Sequence, residues 1–187
     1  MTFLIIALGI FIITHLIPVM PILKNALISA FGRAGYIAVF SIFSLISLGL
    51  IIYARSEAPF TEVYTPPGWS RYFAFVLMVP SAILAIASLV PGHIRHIIHP
   101  PIFYATILWV TAHLVANGDK ASILLFASLG IYACLARFIK IKQGNDGRPE
   151  AVKSHLWADS AALVGGAITY ALLLYLHADI IGVEIWY

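Results

Sequence analysis

The residues best suited to do chemistry in this chain are two histidines inside long apolar segments. His15 lies in the apolar segment 1–20, and His113 lies in the apolar segment 100–116. A neutral imidazole within a bilayer needs either a hydrogen bond across helices or a metal ion. Haem iron takes axial imidazoles from facing helices, so two histidines on different helices favour a haem site. The competing interpretation is that each histidine only bridges helices.

The neighbours of the two histidines differ. The residues at i−7 and i−4 of His15 are apolar, so its helix face offers the ring no polar partner. Trp109 and Asn117 share the helix face of His113, four residues before and after it. We therefore predict His15 and His113 as metal ligands, with Trp109 and Asn117 as further cofactor-binding residues.

Depth along the helices does not choose the ligand pair. At about 1.5 Å per residue, His15 lies about 9 Å from the inner boundary of its helix and His113 about 20 Å from the corresponding boundary. Axial ligands need similar depths, so this pair requires a tilted haem, tilted helices or shifted boundaries. His177 closes the last apolar segment near the outer face and matches His113 no better. His99 lies about four turns before His113, but the first segment has only one histidine for two stacked haems.

Two further features have mainly structural interpretations. His93, His96 and His99 form an H-x-x-H-x-x-H pattern between Pro91 and Pro101, which favours a basic collar at the lipid headgroups over a surface metal site. The single cysteine, Cys134, excludes internal disulfides and cysteine-only metal sites, and we expect it to be a small packing residue. The sequence has no hydrolytic triad, phosphate loop or paired carboxylates.

The composition indicates which class of protein carries these residues. Of the 187 residues, 61% are hydrophobic and 10% are charged, and the mean hydropathy is +0.97. A soluble domain carries roughly 25% charged residues, so a soluble globule is excluded. The formal net charge of +3 is too small to indicate nucleic-acid binding. The expected partner is the lipid bilayer.

Six apolar blocks approach the roughly 20 residues that a helix needs to cross a bilayer. The sequence therefore predicts an all-α, polytopic membrane protein, a six-transmembrane-helix bundle in one domain over residues 1–187. The predicted spans are Met1–Met20, Tyr36–Ala54, Trp69–Val90, Pro100–Ala116, Ala121–Ile141 and Ala158–His177.

The distribution of Lys and Arg predicts the orientation of this bundle. Eight basic residues lie in the loops after spans one, three and five or, in the case of Arg137, at the end of span five, against three in the loops after spans two and four. Both termini are therefore expected on the outer (periplasmic) side. The first set is Lys24, Arg33, Arg95, Arg137, Lys140, Lys142, Arg148 and Lys153, and the second is Arg55, Arg71 and Lys120.

Small and capping residues predict local packing. Stripes of small residues let helices approach closely, although such a stripe also suits a slot for a flat ligand. Gly118 is expected to end the fourth span, and Asp119 to cap the fifth. The stripes are Ser41, Ser44, Ser47 and Gly49 in span two, and Ala161, Gly165 and Gly166 in span six.

A run of residues around His113, together with positions near both ends, resembles the NnrU family over nearly the whole chain. The matching residues are His15, Arg33–Tyr36, His99-Pro100, Leu108-Trp109, Ala112–Asp119, Ser122, Leu125-Phe126, His177 and Gly182-Val183.

The resemblance implies two activities. Bacterial NnrU proteins are associated with denitrification, where they support active nitrite and nitric oxide reductases in the cytoplasmic membrane. Plant and algal relatives are 15-cis-zeta-carotene isomerases, which use haem b. Their haem ligands match His15 and His113 here. The implied cofactor is haem b with its iron, and the implied partners are respiratory membrane proteins or a carotenoid or other apolar substrate.

One position departs from the isomerase branch. That branch carries a cysteine three residues before the second histidine, where this chain has Val110. The resemblance therefore implies haem binding in a denitrification setting first and haem-dependent cis–trans isomerisation second. A non-catalytic membrane accessory subunit, whose histidines bridge helices, is the third possibility.

Overall fold

The computed structural model describes residues 1–145 and 155–182, and its regular elements within these ranges are all helices. The expected all-α class is therefore confirmed. Two compact units divide the chain, Met1–Thr61 and Glu62–Tyr187. The prediction of one domain over residues 1–187 stays a prediction.

The first unit is a helical hairpin. Helix α1 spans Thr2–Leu16, a 3-10 turn covers Ile17–Val19, and α2 spans Pro21–Ser56. Proline at the first position of α2 suits a helix start, because its missing N–H has no partner there in any case. Buried side chains from both helices form the contact between them: Leu4, Ala7 and Leu8 from α1, and Ser47, Ile51 and Ala54 from α2.

Residues 21–35, expected to form a loop, are helical, so this boundary was wrong. The segment carries the apolar residues Leu23, Leu27 and Phe31 at helical spacing, which outweighs the charges of Lys24 and Arg33. Gly32 interrupts the helix with φ 71° and ψ 165°, a conformation that favours glycine. The sequence predicts the start of a span near this point, at Tyr36, whereas in the structure the interruption at Gly32 lies inside the longer helical element α2.

Within its described residues, the second unit contains five helices. Helix α3 spans Ser70–Ala87, α4 His93–Ile97, α5 Pro101–Ala116, α6 Lys120–Lys142 and α7 Leu156–Ile181. Helix α3 packs against both α5 and α7, and α6 packs against α5. The short α4 contacts α3 and α7, so it closes one end of this unit.

The small residues of α7 bring it close to α3, which confirms the packing interpretation of that stripe. A Cβ atom on Gly166 would lie 2.6 Å from the Cα atom of Ile83. A Cβ atom on Gly165 would lie 3.2 Å from the Ile86 side chain. Because Ile83 and Ile86 fill the space beside these glycines, the stripe is no slot for a flat ligand.

Among the described residues, five helices are long and apolar enough to cross a membrane: Thr2–Val19 with its terminal turn, α2, α3, α6 and α7. The fourth predicted span is α5, whose 16 residues extend about 24 Å at about 1.5 Å each. It is therefore shorter than a hydrocarbon core of about 30 Å.

The outer surface of the helices suits lipid. Large apolar side chains are exposed along the candidate spans, and so are the aromatic rings of Trp69, Tyr72, Trp157 and Tyr175 near the span ends. The count of six spans and the orientation of the termini stay predictions. Arg148 and Lys153, which contribute to the orientation, lie outside the described residues.

Candidate functional site

His113 is held by its own helix. Its Nδ1 donates a hydrogen bond to the carbonyl oxygen of Trp109, one turn earlier in α5, at 2.8 Å. This bond places the proton on Nδ1 and leaves Nε2 with a lone pair. His113 is thereby a neutral imidazole whose second nitrogen can accept a hydrogen bond or bind a metal.

Aromatic rings cover the His113 imidazole. Phe126 of α6 stacks on it with ring centroids 4.4 Å apart and an interplanar angle of 29°. Trp109 lies on a second side, with its centroid 5.1 Å from that of His113 and 5.0 Å from that of Phe126. The three rings form one cluster between α5 and α6. Packing of this kind fixes the imidazole and limits access of water to it.

The end of α5 beyond His113 is tied down by polar contacts. Asn117 Nδ2 donates to the carbonyl oxygen of His113 at 2.9 Å, and the Asn117 main-chain amide donates to the same oxygen at 2.9 Å. The sequence-predicted residues Trp109 and Asn117 therefore both contact His113. Trp109 contacts its ring, whereas Asn117 contacts its main chain.

A strap formed by residues 62–65 crosses the α5–α6 turn. The Val63 and Tyr64 amides donate to the carbonyl oxygen of Gly118 at 2.8 and 3.1 Å, and the Tyr64 hydroxyl donates to the Leu114 carbonyl oxygen. Burial raises the pKa of the Tyr64 phenol, which favours its protonated, donating form. A Cβ atom on Gly118 would collide with the Tyr64 main chain, so glycine is required here for close approach.

Asp119 caps α6, as predicted. Its Oδ1 accepts hydrogen bonds from the amides of Ala121 at 3.1 Å and Ser122 at 3.0 Å. The carboxylate belongs to a residue that is only 4% exposed. The Asn-Gly-Asp turn after His113 is therefore explained by helix ends and by the strap.

His15 is held by its own helix in the same way. Its Nδ1 donates to the carbonyl oxygen of Phe11 at 2.8 Å. The Phe11 ring stacks on the imidazole at 3.8 Å between centroids, and Phe40 of α2 meets it edge-on at 5.4 Å. His15 and His113 thus share an i−4 main-chain acceptor for Nδ1 and an aromatic stacking partner.

The expectation that His15 lacks a polar partner was wrong. The apolar residues Leu8 and Phe11 do lie on its face, but the Phe11 main chain accepts from its ring. Ser44 of α2 supplies a second contact, with its Oγ 3.2 Å from His15 Nε2. The error has a physical reason. Helical spacing predicts only which side chains of the same helix lie beside His15, whereas its partners are a main-chain carbonyl group and a residue 29 positions away.

The two histidines belong to different compact units, His15 to the first and His113 to the second. His177, the alternative partner considered for His113, lies on α7 in the same unit as His113.

The histidine pattern before α5 forms a structural junction. His93 Nδ1 lies 2.8 Å from Asp159 Oδ2, and the Ile94 amide donates to Asp159 Oδ1 at 3.0 Å, so Asp159 of α7 caps α4. His99 Nδ1 donates to the His96 carbonyl oxygen at 3.1 Å. Among residues 1–145 and 155–182, no three His, Cys, Asp or Glu side chains converge as a metal cluster.

The only cysteine does not lie in the site. Cys134 is exposed on α6, so the prediction of a packing role was wrong. A small apolar side chain has little to lose by facing lipid, and composition cannot distinguish that face from a helix contact. Val110, which replaces the isomerase-branch cysteine, is buried and packs against Gly130 of α6.

Two contributors to these sites were missed. The serine stripe of α2 predicts helix packing or a slot for a flat ligand, not a contact between Ser44 and His15, and Phe126 enters only through the family resemblance. Both lie on helices other than that of the histidine they contact. The serine stripe of α2 was the available signal for Ser44, and the shared family pattern was the signal for Phe126.

The comparison with known proteins supports one family. The sequence model of a family described as NnrU protein matches residues 3–185. No similarity to a curated protein or to a solved structure was found. Because the match extends over nearly the entire chain, the protein belongs to the NnrU family.

Proposed function

We propose that this protein is a haem b-binding membrane protein of the NnrU type, in which His113 and His15 are the candidate axial ligands. The observation that supports the proposal best is the shared geometry of these two rings. Each Nδ1 donates to the carbonyl oxygen of the residue four positions earlier, at 2.8 Å. Each imidazole therefore presents Nε2 with a lone pair.

The residues fit such a group in their chemistry. A histidine that binds a metal nearly always donates its other ring N–H to a carbonyl or carboxylate, which fixes the tautomer and the ring plane. The aromatic neighbours of both histidines are also the apolar, flat surroundings that suit a porphyrin. At His15, the Ser44 hydroxyl would have to turn away from Nε2 for a metal to bind there.

The residues around His113 have separable tasks in this proposal. Phe126 and Trp109 exclude water from the imidazole, and the Trp109 carbonyl orients it. Asn117 stabilises the helix end that carries the ligand. Haem b, when bound, supplies an iron centre capable of electron exchange. Family membership supports a setting in the bacterial cytoplasmic membrane, in denitrification, with respiratory membrane proteins as partners.

An absorption spectrum of the purified full-length protein tests the proposal. Wild type, with haem supplied during expression, should show a Soret band that shifts on reduction. His113→Ala should lose most of that band because it loses the imidazole. His96→Ala removes a histidine of the α4 segment and serves as the matched control, which should keep the band. A colourless wild type, or a full band in His113→Ala, would contradict the proposal.

A second candidate function has its own observation. The 3.2 Å contact between Ser44 Oγ and His15 Nε2 joins α1 to α2, as expected for a histidine that only bridges helices. In that case the protein is a non-catalytic accessory subunit. His15→Gln, which keeps hydrogen-bonding capacity, should then retain both stability and the support of nitrite and nitric oxide reductase activity in cells.

Haem-dependent isomerisation of a carotenoid, the second activity that the family resemblance implies, is a further candidate. Val110 offers no sulfur ligand three residues before His113, and Cys134 lies on an exposed face. Supplying the reduced, haem-loaded protein with a 15-cis polyene tests this activity. Formation of trans product above the haem-free background would establish it.

A further inference from the structure

A cavity of about 480 Å³ lies near α4 in the second unit, away from the Trp109–His113–Phe126 cluster. Helices α3, α4, α5 and α6 and the residues just before α5 all contribute to its wall. Five lining residues are aliphatic and three carry polar groups. They are Leu84, Ile97, Ile98, Ile107 and Leu108, together with His99, Tyr104 and Arg137.

Arg137 is the unusual member of this wall. Its Nη1 atom is shielded from solvent and has no hydrogen-bond partner among the described residues. A buried guanidinium nitrogen without an acceptor is costly, because the group loses its hydration and gains nothing in return. No lining residue is acidic. Among the residues that the structure describes, the cavity lining therefore holds a cation and no acidic side chain.

The wall chemistry defines the kind of ligand. A guanidinium binds phosphate and carboxylate through charge-assisted hydrogen bonds. Tyr104 and His99 add groups that donate or accept hydrogen bonds. The aliphatic side chains, in contrast, suit a hydrocarbon. An anion with an attached apolar body matches both parts of the lining, whereas a small hydrated anion uses only one.

The position of the cavity indicates where such a ligand comes from. Arg137 lies five residues before the end of α6 at Lys142, which is about 8 Å along the helix axis. An arginine at this distance from the end of a membrane-crossing helix can extend its guanidinium along the aliphatic stem to the boundary where headgroup phosphates meet the hydrocarbon. Basic pockets between helices near this boundary commonly take anionic lipid headgroups.

We propose that this cavity is a binding site for the phosphate group of an anionic phospholipid, with Arg137 as its counter-charge. The glycerol and the first part of an acyl chain contact Leu84, Ile107 and Leu108, and the rest of the chain extends into the bilayer. This site is independent of haem and of the function proposed above.

The test measures lipid affinity of the purified, delipidated full-length protein in detergent. Phosphatidylglycerol is titrated and its binding followed by native mass spectrometry, with phosphatidylcholine as the zwitterionic comparison. Wild type should bind phosphatidylglycerol more tightly. Arg137→Gln should weaken that binding roughly tenfold, as expected for the loss of a charge-assisted hydrogen bond.

Matched variants distinguish lipid binding at this cavity from a general attraction of the lipid to positive charge. Lys142→Gln removes the same charge from α6 outside the cavity lining and should bind like wild type. Arg137→Lys keeps the cation and should retain most of the affinity. Equal affinities of Arg137→Gln and Lys142→Gln would overturn the proposal. Displacement of the lipid by millimolar inorganic phosphate would overturn it too, since the apolar wall would then be unused.

A second variant covers the case in which Arg137→Gln does not fold. Leu108→Phe leaves the guanidinium in place and fills part of the apolar wall. It should weaken phosphatidylglycerol binding while leaving gel-filtration behaviour unchanged. Unaltered lipid affinity in this folded variant would contradict the proposed contact between the wall and the lipid.

Discussion

At the scale of the residue, both intramembrane histidines obtain their first partner from their own backbone. The Phe11 and Trp109 carbonyl oxygens each accept from a ring nitrogen four residues later. These carbonyls are already within a helix, so the bond needs no other element to form. What differs between the histidines is the set of groups that approach from a neighbouring helix: the Ser44 hydroxyl and the edge of the Phe40 ring at His15, and the stacked Phe126 ring at His113.

The Ser44 contact predicts a measurable contribution to stability. Ser44→Ala removes the polar partner of His15 Nε2 and should lower the free energy of unfolding by about 1 kcal/mol. Ser41→Ala, one turn earlier on α2 with an exposed side chain, is the control and should change little. Thermal unfolding in detergent measures both variants. Identical losses in the two would show that the hydroxyl of Ser44 contributes nothing specific.

The buried cap of α6 predicts a difference between two substitutions of one residue. Asp119→Ala leaves the Ala121 and Ser122 amides without an acceptor and should cost about 1–2 kcal/mol of stability. Asp119→Asn keeps an oxygen in the same place and should retain most of the stability. Chemical denaturation in detergent distinguishes the two. If both variants lose the same amount, charge rather than capping accounts for the role of Asp119.

Part of the site could be predicted from the sequence. Helical spacing alone places Trp109 and Asn117 beside His113, because positions four apart are neighbours on any helix. Capping by Asp119 is equally local. Ser44 and Phe126 could not be found in this way, since their contacts depend on how α2 meets α1 and how α6 meets α5. Hydropathy does not encode that rotation of one helix against another.

At the scale of the element, the second unit depends on the close approach of α7 to α3. Helices in lipid gain nothing from the hydrophobic effect and associate through close packing, for which glycine is well suited. Gly166 meets the backbone of Ile83 itself, and Gly165 meets the Ile86 side chain. The contact between α3 and α7 is therefore set by the absence of a Cβ atom.

Adding that atom should separate the helices. Gly166→Ala places a Cβ 2.6 Å from the Ile83 Cα atom and should destabilise the protein by about 1–3 kcal/mol through overpacking. Gly49→Ala in α2 is the matched control, because nothing lies within 4 Å of the added Cβ there. That control should unfold at an equal or higher temperature, as alanine favours helices over glycine. A Gly166→Ala protein as stable as Gly49→Ala would contradict the described α3–α7 contact.

The helices themselves were predictable, but not all of their ends. Each of the six apolar blocks corresponds to all or part of a helix of the structure, since long apolar runs leave the backbone no other way to satisfy its hydrogen bonds in lipid. The beginning of α2 at Pro21 was missed because Lys24 and Arg33 suggested a loop. Charged residues mark the limits of the hydrocarbon region, whereas a helix can continue beyond it into water.

At the scale of the whole molecule, the distribution of basic residues predicts which end of the second unit faces the cytoplasm. Val63 lies at the α5–α6 turn, where its amide contacts Gly118, and Lys142 lies at the far end of α6. The 23 residues of α6 separate these two ends by about 34 Å. They are therefore suitable positions for measuring orientation.

Labelling of introduced cysteines tests the orientation. In a Cys134→Ala background, Val63→Cys should react with a membrane-impermeant maleimide in intact spheroplasts, because the segment between spans two and three is expected outside. Lys142→Cys should react only after the membrane is permeabilised. The ratio of labelling before and after permeabilisation is the measurement. The opposite pattern would place both termini in the cytoplasm.

Cys134 has a practical consequence for studying the protein in its own membrane. It is the only thiol in the sequence, and it projects from the exposed side of α6. A nitroxide attached there requires no other substitution and reports on a single, known position. The ratio of the nitroxide's accessibility to oxygen and its accessibility to a water-soluble paramagnetic reagent would give the depth of α6 in the bilayer. That depth would serve as a reference level for the His113 ring and for Arg137.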